Sequence, residues 1–161
     1  MTWLQSLKIN TFVRLYTFFK IPLLFLASPK ILSFEPAKTI LKIPLYFMTK
    51  NHLGSMYFGA LCMGGEAAVA IQALKTIQDG KVAIDFVFKD FQAQFLKRAE
   101  ADVHFICEQG DELKKMAIEA ANTDERISRK FRSYGICPSI SPTEVVAEFE
   151  VTLSLKRRRR T

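Results

Sequence analysis

One acid stands in an otherwise uncharged run: Glu66, within residues 59–74, which read GALCMGGEAAVAIQAL. A helix apolar on every side belongs inside a protein, where an unpaired carboxylate costs on the order of several kcal/mol to desolvate. Burial raises a carboxyl pKa towards the working range of a general base or nucleophile in hydrolysis. The plainer alternative is a helix turning one side to water, with Glu66 as its wet edge. Asn51 and His52 lie in the loop ahead. The first offers a carboxamide able to hold a water or a carbonyl; the second reads as a loop residue orienting its neighbours. Cys62, on the same apolar run, reads as a small buried hydrophobe rather than as a nucleophile served by His52 or His104. His104 falls on the polar phase of its strand, so exposure is expected.

The elements that must position these residues follow from changes of hydrophobic period. Leu41, Ile43, Leu45 and Phe47 alternate with Lys42, Pro44 and Tyr46, which predicts a strand over 41–47 with Pro44 at an edge or bulge. A long buried helix is expected over 58–77, stopped by Asp79-Gly80. Val82, Ile84, Phe86 and Phe88 then alternate, and the phase slips to Phe91, Ala93 and Phe95, predicting one long strand with a bulge near Lys89-Asp90. Residues 101–107 form the next strand. Asp111 is expected to cap a short helix carrying Leu113, Met116, Ala117 and Ala120, lying over a sheet edge. Residues 127–136 are taken as a strand, and 145–155 alternate cleanly. A sheet that must hide one face and a helix too apolar for water satisfy each other if the sheet curls round the helix. The expected fold class is therefore α+β, a hotdog fold: an antiparallel sheet wrapped round one long central helix, with an extra N-terminal helix.

Composition bounds the rest. A chain of 161 residues, 49% hydrophobic and 24% charged, fits one globular domain. The net charge of +7 resembles a nucleic-acid signal, but Lys156, Arg157, Arg158, Arg159 and Arg160 supply most of it; without them 18 basic residues face 16 acids. Such a tail is ordinarily solvated, with nucleic acid the lesser reading. Cys62, Cys107 and Cys137 make an odd set without metal-ligand spacing, so neither a disulfide framework nor a metal site is expected, and a reducing cytoplasm is the natural home. Residues 21–27, between Lys20 and Lys30, are too few to span a bilayer. The helix expected over 3–19 carries Leu4, Leu7, Val13, Leu15 and Phe19 with Lys8, Asn10, Arg14 and Lys20. Packing on the domain or on an oligomer partner is preferred for it over contact with a membrane surface. The chain divides into a helical segment 1–37, a hotdog domain 38–155 and a basic tail 156–161.

The run from Asn51 to Glu66, NHLGSMYFGALCMGGE, resembles the loop and helix start of hotdog acyl-CoA thioesterases of the phenylacetyl-CoA thioesterase (PaaI) type. That family has an Asn, a His-Gly-Gly six residues on, and an Asp or Glu nine residues after the His. Asn51 takes the Asn place, Tyr57 stands at the His, Phe58 and Gly59 at the two Gly, and Glu66 at the acid. With FLKRAEADV at residues 95–103, the wording is closer still to an uncharacterised branch of that superfamily. The resemblance implies a thioester hydrolase in which Glu66 is base or nucleophile and Asn51 holds the water or the carbonyl. The amides of Phe58 and Gly59, at a helix N-terminus, would donate to the oxyanion. Tyr57 and His52 would line the substrate, and Lys97 and Arg98 could meet coenzyme A phosphates. Tyr57 carries no imidazole and Phe58 adds bulk, which leaves a non-catalytic acyl-ligand binding protein as the alternative. No cofactor beyond the coenzyme A of the substrate is implied. A homodimer, or a tetramer of such dimers, is implied, with Asn51 and the helix start of one subunit facing Glu66 of the other.

Overall fold

The computed structural model describes residues 2–80 and 83–158. Helices α1 (Trp3–Lys20) and α2 (Pro22–Leu26) come first, then strands β1 (Lys30–Phe34) and β2 (Thr39–Ile43) and the long helix α3 (Phe58–Asp79). Strands β3 (Ile84–Phe95) and β4 (Val103–Cys107), helix α4 (Gly110–Ala121), and strands β5 (Ile127–Ile136) and β6 (Val145–Arg157) complete the chain. The strands form one sheet in the order β1-β2-β4-β5-β6-β3, every pairing antiparallel. It curls round α3, which packs on β2, β4, β5 and β6. This is the hotdog arrangement.

Close approach of helix and sheet depends on two glycines. A Cβ at Gly64 would lie 2.2 Å from the ring of Phe105 on β4, and one at Gly65 would lie 2.4 Å from the ring of Phe149 on β6. Both rings are buried, tilted against each other with centroids 6.0 Å apart, so they fill the space the missing side chains leave. Ser133, buried on β5, donates from its hydroxyl to the Gly65 carbonyl at 2.7 Å. Helix α3 is long and apolar enough to cross a membrane, but 56% of its apolar window is buried inside the fold.

The period-2 pattern of β6 emerges as expected, with Phe149, Val151, Leu153 and Leu155 buried. The register of β3 against β6 shifts between Phe88 and Asp90, where the phase slip placed a bulge; Val82, the expected start of that strand, lies outside the described residues.

Four expectations need correction. Strand β2 ends at Ile43 rather than Phe47, because Pro44 has no N–H for the ladder and the chain turns: the amide of Leu45 donates to Asp102 Oδ1 (2.9 Å) and that of Tyr46 to Thr49 Oγ1 (3.0 Å). Residues 30–34, read as part of a helical segment, form β1 beside β2; the strand is short and irregular, with a register shift between Ile31 and Ser33, and shows no clean alternation. Asp111 is not the cap of α4, which starts at Gly110 after Gln109. Lys156 and Arg157 extend β6, and Arg157 and Arg158 form ion pairs with Asp124 and Asp85, so the basic run begins inside the fold; Arg159 and Arg160 lie outside the described residues.

Candidate functional site

The loop before α3 is built by Asn51. Its Oδ1 accepts from the amides of Leu53 (2.9 Å) and Ser55 (3.2 Å), its Nδ2 donates to Ser55 Oγ (3.0 Å), and its own amide donates to the Ser55 carbonyl (2.8 Å). This is the self-bonding turn that Asn favours, helped by Gly54 at φ +83°. The carboxamide therefore serves the loop first. Two bonds then aim the chain into the helix: Met56 N–H to the Ala99 carbonyl and Tyr57 N–H to the Thr49 carbonyl, both 2.8 Å.

Tyr57 is the N-cap of α3 and makes no side-chain capping bond; its carbonyl takes the amides of Ala60 and Leu61. The amides of Phe58 and Gly59 have no protein acceptor among the described residues. Two donors are thus left at the positive end of a 22-residue helix, an arrangement that favours a developing negative charge. The rings of Tyr57 and Phe58 lie 4.6 Å apart, that of Phe58 sits 6.2 Å from Phe95, and Phe58 is 57% exposed. They form an apolar rim at the mouth of the helix start.

Glu66 lies two turns further along α3. Its carboxyl has no hydrogen-bond or ion-pair partner among the described residues, and burial pushes its pKa up to about 7. No fully buried side-chain polar atom among the described residues lacks a partner, so this half-buried carboxyl keeps some access to water. It opens on a cleft of about 510 Å³ walled by α1, α2, β1, α3 and β3, lined by Val13, Leu24, Ile31, Ala70, Ile71 and Phe88. Sequence reading missed this cleft, since its walls come from five separate elements. The signal available was the repeat of small residues on α3, Ala67 and Ala70, beside Glu66.

The other expected site residues are scattered. His52 is exposed on the loop, with no side-chain hydrogen bond among the described residues. Lys97 pairs with Glu144, whereas Arg98 is exposed and without an ion-pair partner among the described residues. Cys62 is half-buried with its thiol pKa pushed up by burial, which disfavours the thiolate. His104, expected to be exposed, is half-buried; burial, and then the charge of Lys42, holds its pKa below the usual value.

A family model described as "Domain of unknown function (DUF4442)" matches residues 10–130. A comparison with the curated proteins finds no match. Among solved structures, a candidate thioesterase from Shewanella oneidensis superposes with TM-score 0.79 at 15% identity, covering 92% of this chain and 98% of that one. A protein of unknown function from Pseudomonas aeruginosa, described as a probable thioesterase, gives 0.72 at 22% identity, covering 92% and 96%. A thioesterase from Haemophilus influenzae gives 0.62 at 13% identity, covering 89% and 88%. At these identities the likeness shows a shared fold.

Proposed function

The chain belongs to the DUF4442 family, and on that premise we propose that it hydrolyses acyl-CoA thioesters. The observation that carries this reading is Glu66: an unpartnered carboxyl with a pKa of about 7, opening on an apolar cleft. Near neutral pH such a group takes a proton from water, or attacks a carbonyl, without being trapped in an ion pair. The cleft runs beside α3 from Glu66 to Gln78, about 18 Å at 1.5 Å per residue, which suits an extended aliphatic chain.

Within one chain the machinery is incomplete. Phe58 and Glu66 are eight residues apart on α3, about 12 Å along the axis, so one carbonyl cannot meet the free amides and the carboxylate together. A second copy supplies the missing half. Strand β3 ends the sheet with its outer edge unpaired among the described residues, and Tyr57, Phe58, Phe95 and Leu96 are exposed near it. Pairing along β3 in a homodimer would bring the helix start of one copy towards Glu66 of the other; a tetramer would stack two such pairs. In the assembled site Glu66 activates water, the amides of Phe58 and Gly59 hold the oxyanion, Asn51 keeps the loop in shape, and Arg98 meets the coenzyme A phosphates. Three free thiols fit a reducing cytoplasm.

Acyl-CoA esters of graded chain length, assayed for thiol release, should include substrates whose turnover Glu66→Gln abolishes. Saturable binding without turnover would instead make the chain an acyl-ligand binding protein. That second reading is favoured by the commitment of the Asn51 carboxamide to its own loop. Reading the chain as a nucleic-acid binder is weakened by Arg157 and Arg158, which already pair with Asp124 and Asp85.

A further inference from the structure

Helix α1 sits on the domain by a mixed side, with Val13 buried, Ile9 packed on the core, and polar Asn10 and Thr17 beside them. Asn10 donates from Nδ2 to the Ile31 carbonyl (3.0 Å) and accepts the Ile31 amide on Oδ1 (2.8 Å). Thr17 is buried and donates to the Val13 carbonyl at 2.8 Å. The opposite face is apolar: Leu4, Leu7, Leu15 and Phe18 recur at helical spacing and are 60%, 52%, 56% and 52% exposed. Phe19 and Trp3 flank this stripe, and Leu23 of α2 continues it. A surface helix ordinarily turns polar residues outward, and an apolar patch of this extent marks a contact surface.

Charge decides between occupants. Residues 2–34 hold four cations, Lys8, Arg14, Lys20 and Lys30, and no Asp or Glu. A second copy docking by this face across a twofold axis would bring like cations together with no acid in either segment to pair them. An anionic bilayer surface pairs with the cations and takes up the Leu, Phe and Trp side chains, with aromatic residues at the headgroup level. We propose that residues 3–26 dock the protein on the surface of an anionic phospholipid bilayer, α1 lying in the interface plane with Leu4, Leu7, Leu15 and Phe18 towards the acyl region. This docking does not depend on the thioesterase reading.

The test uses the full chain with vesicles of phosphatidylcholine, with and without phosphatidylglycerol. Trp3 is the only tryptophan, so its emission reports the segment directly. The expected result is sedimentation with the phosphatidylglycerol vesicles, a blue shift of Trp3, and loosening by salt. Combined Leu4→Ser, Leu15→Ser and Phe18→Ser, on exposed positions and checked for an unchanged melting profile, should weaken binding by more than about tenfold. Arg14→Gln, at an exposed cation bordering the stripe, should weaken it about fivefold. Binding that survives the triple substitution would assign it to the basic C-terminus and overturn the proposal, as would absence of binding to either vesicle. Equal binding to both vesicles would overturn the anionic surface. A triple variant that instead splits a larger species into smaller ones, without vesicle binding, would make the face a contact between copies.

Discussion

Phe58 and Glu66 share one helix, the first at its amino end with a free amide and the second about 12 Å along the axis with a free carboxyl. Each is half of a hydrolytic site, and they are too far apart to serve one thioester from the same chain. If the halves meet across a dimer, inactive subunits should rescue one another. Mixing Glu66→Gln with Asn51→Ala subunits after denaturation and refolding should restore about a quarter of the parent activity, since about half the dimers then hold one intact site. Activity that stays absent in mixtures of verified heterodimers would place both halves of the site in one chain.

The pH dependence of turnover should follow the Glu66 carboxyl. With its pKa raised to about 7, the basic form gains population as pH rises through that value, so kcat/KM should climb tenfold per pH unit below about 7 and level off above it. A profile flat from about pH 5 to 8 would mean that another group takes the proton.

The same carboxyl should cost stability. Its folded pKa lies above the ordinary value of 4.5, so between about 4.5 and 7 the folded state binds more protons than the unfolded one, and stability falls as pH rises through that window. Glu66→Gln removes the charge and should stabilise the chain by about 1–3 kcal/mol at pH 8, the gain vanishing below about pH 4.5. Denaturant melts of the two proteins at both pH values read this directly. Equal stability at pH 8 would show that the carboxylate has found a partner in the assembled protein.

The cleft beside Glu66 should set acyl-chain length. Ala70 is half-buried in its wall, so Ala70→Phe fills the space with little demand on the sheet. Long-chain esters should lose most of their kcat/KM while short ones keep it, because each methylene denied burial costs about fourfold. Uniform loss across chain lengths would mean the chain lies elsewhere.

Much of the fold was legible because the signals were local. Helix α3 showed as an apolar run closed by Asp79-Gly80, β6 as strict alternation, and the bulge in β3 as a slip of phase between Phe88 and Phe91. Where tertiary contacts outweighed the local pattern, the reading failed. Strand β1 exists because β2 needed a neighbour, and β2 stopped at Pro44 because Asp102, 57 positions away from Leu45, offered that residue's amide another acceptor.

For the site, the sequence by itself determined which groups are available: a lone acid in an oily helix, a helix start without a capping side chain, and an Asn in the loop before it. Those are properties of residue type and spacing, which the backbone period converts into positions. Only the tertiary structure decided their environment. Desolvation of Glu66, the cleft walled by α1, α2, β1, α3 and β3, and the outward turn of Leu4, Leu7, Leu15 and Phe18 all depend on which elements pack together. Helical period alone could not say which side of α1 faces the domain, because apolar residues lie on both sides, and the side that is seated mixes Ile9 and Val13 with Asn10, whose partner on β1 exists only once that strand is in place.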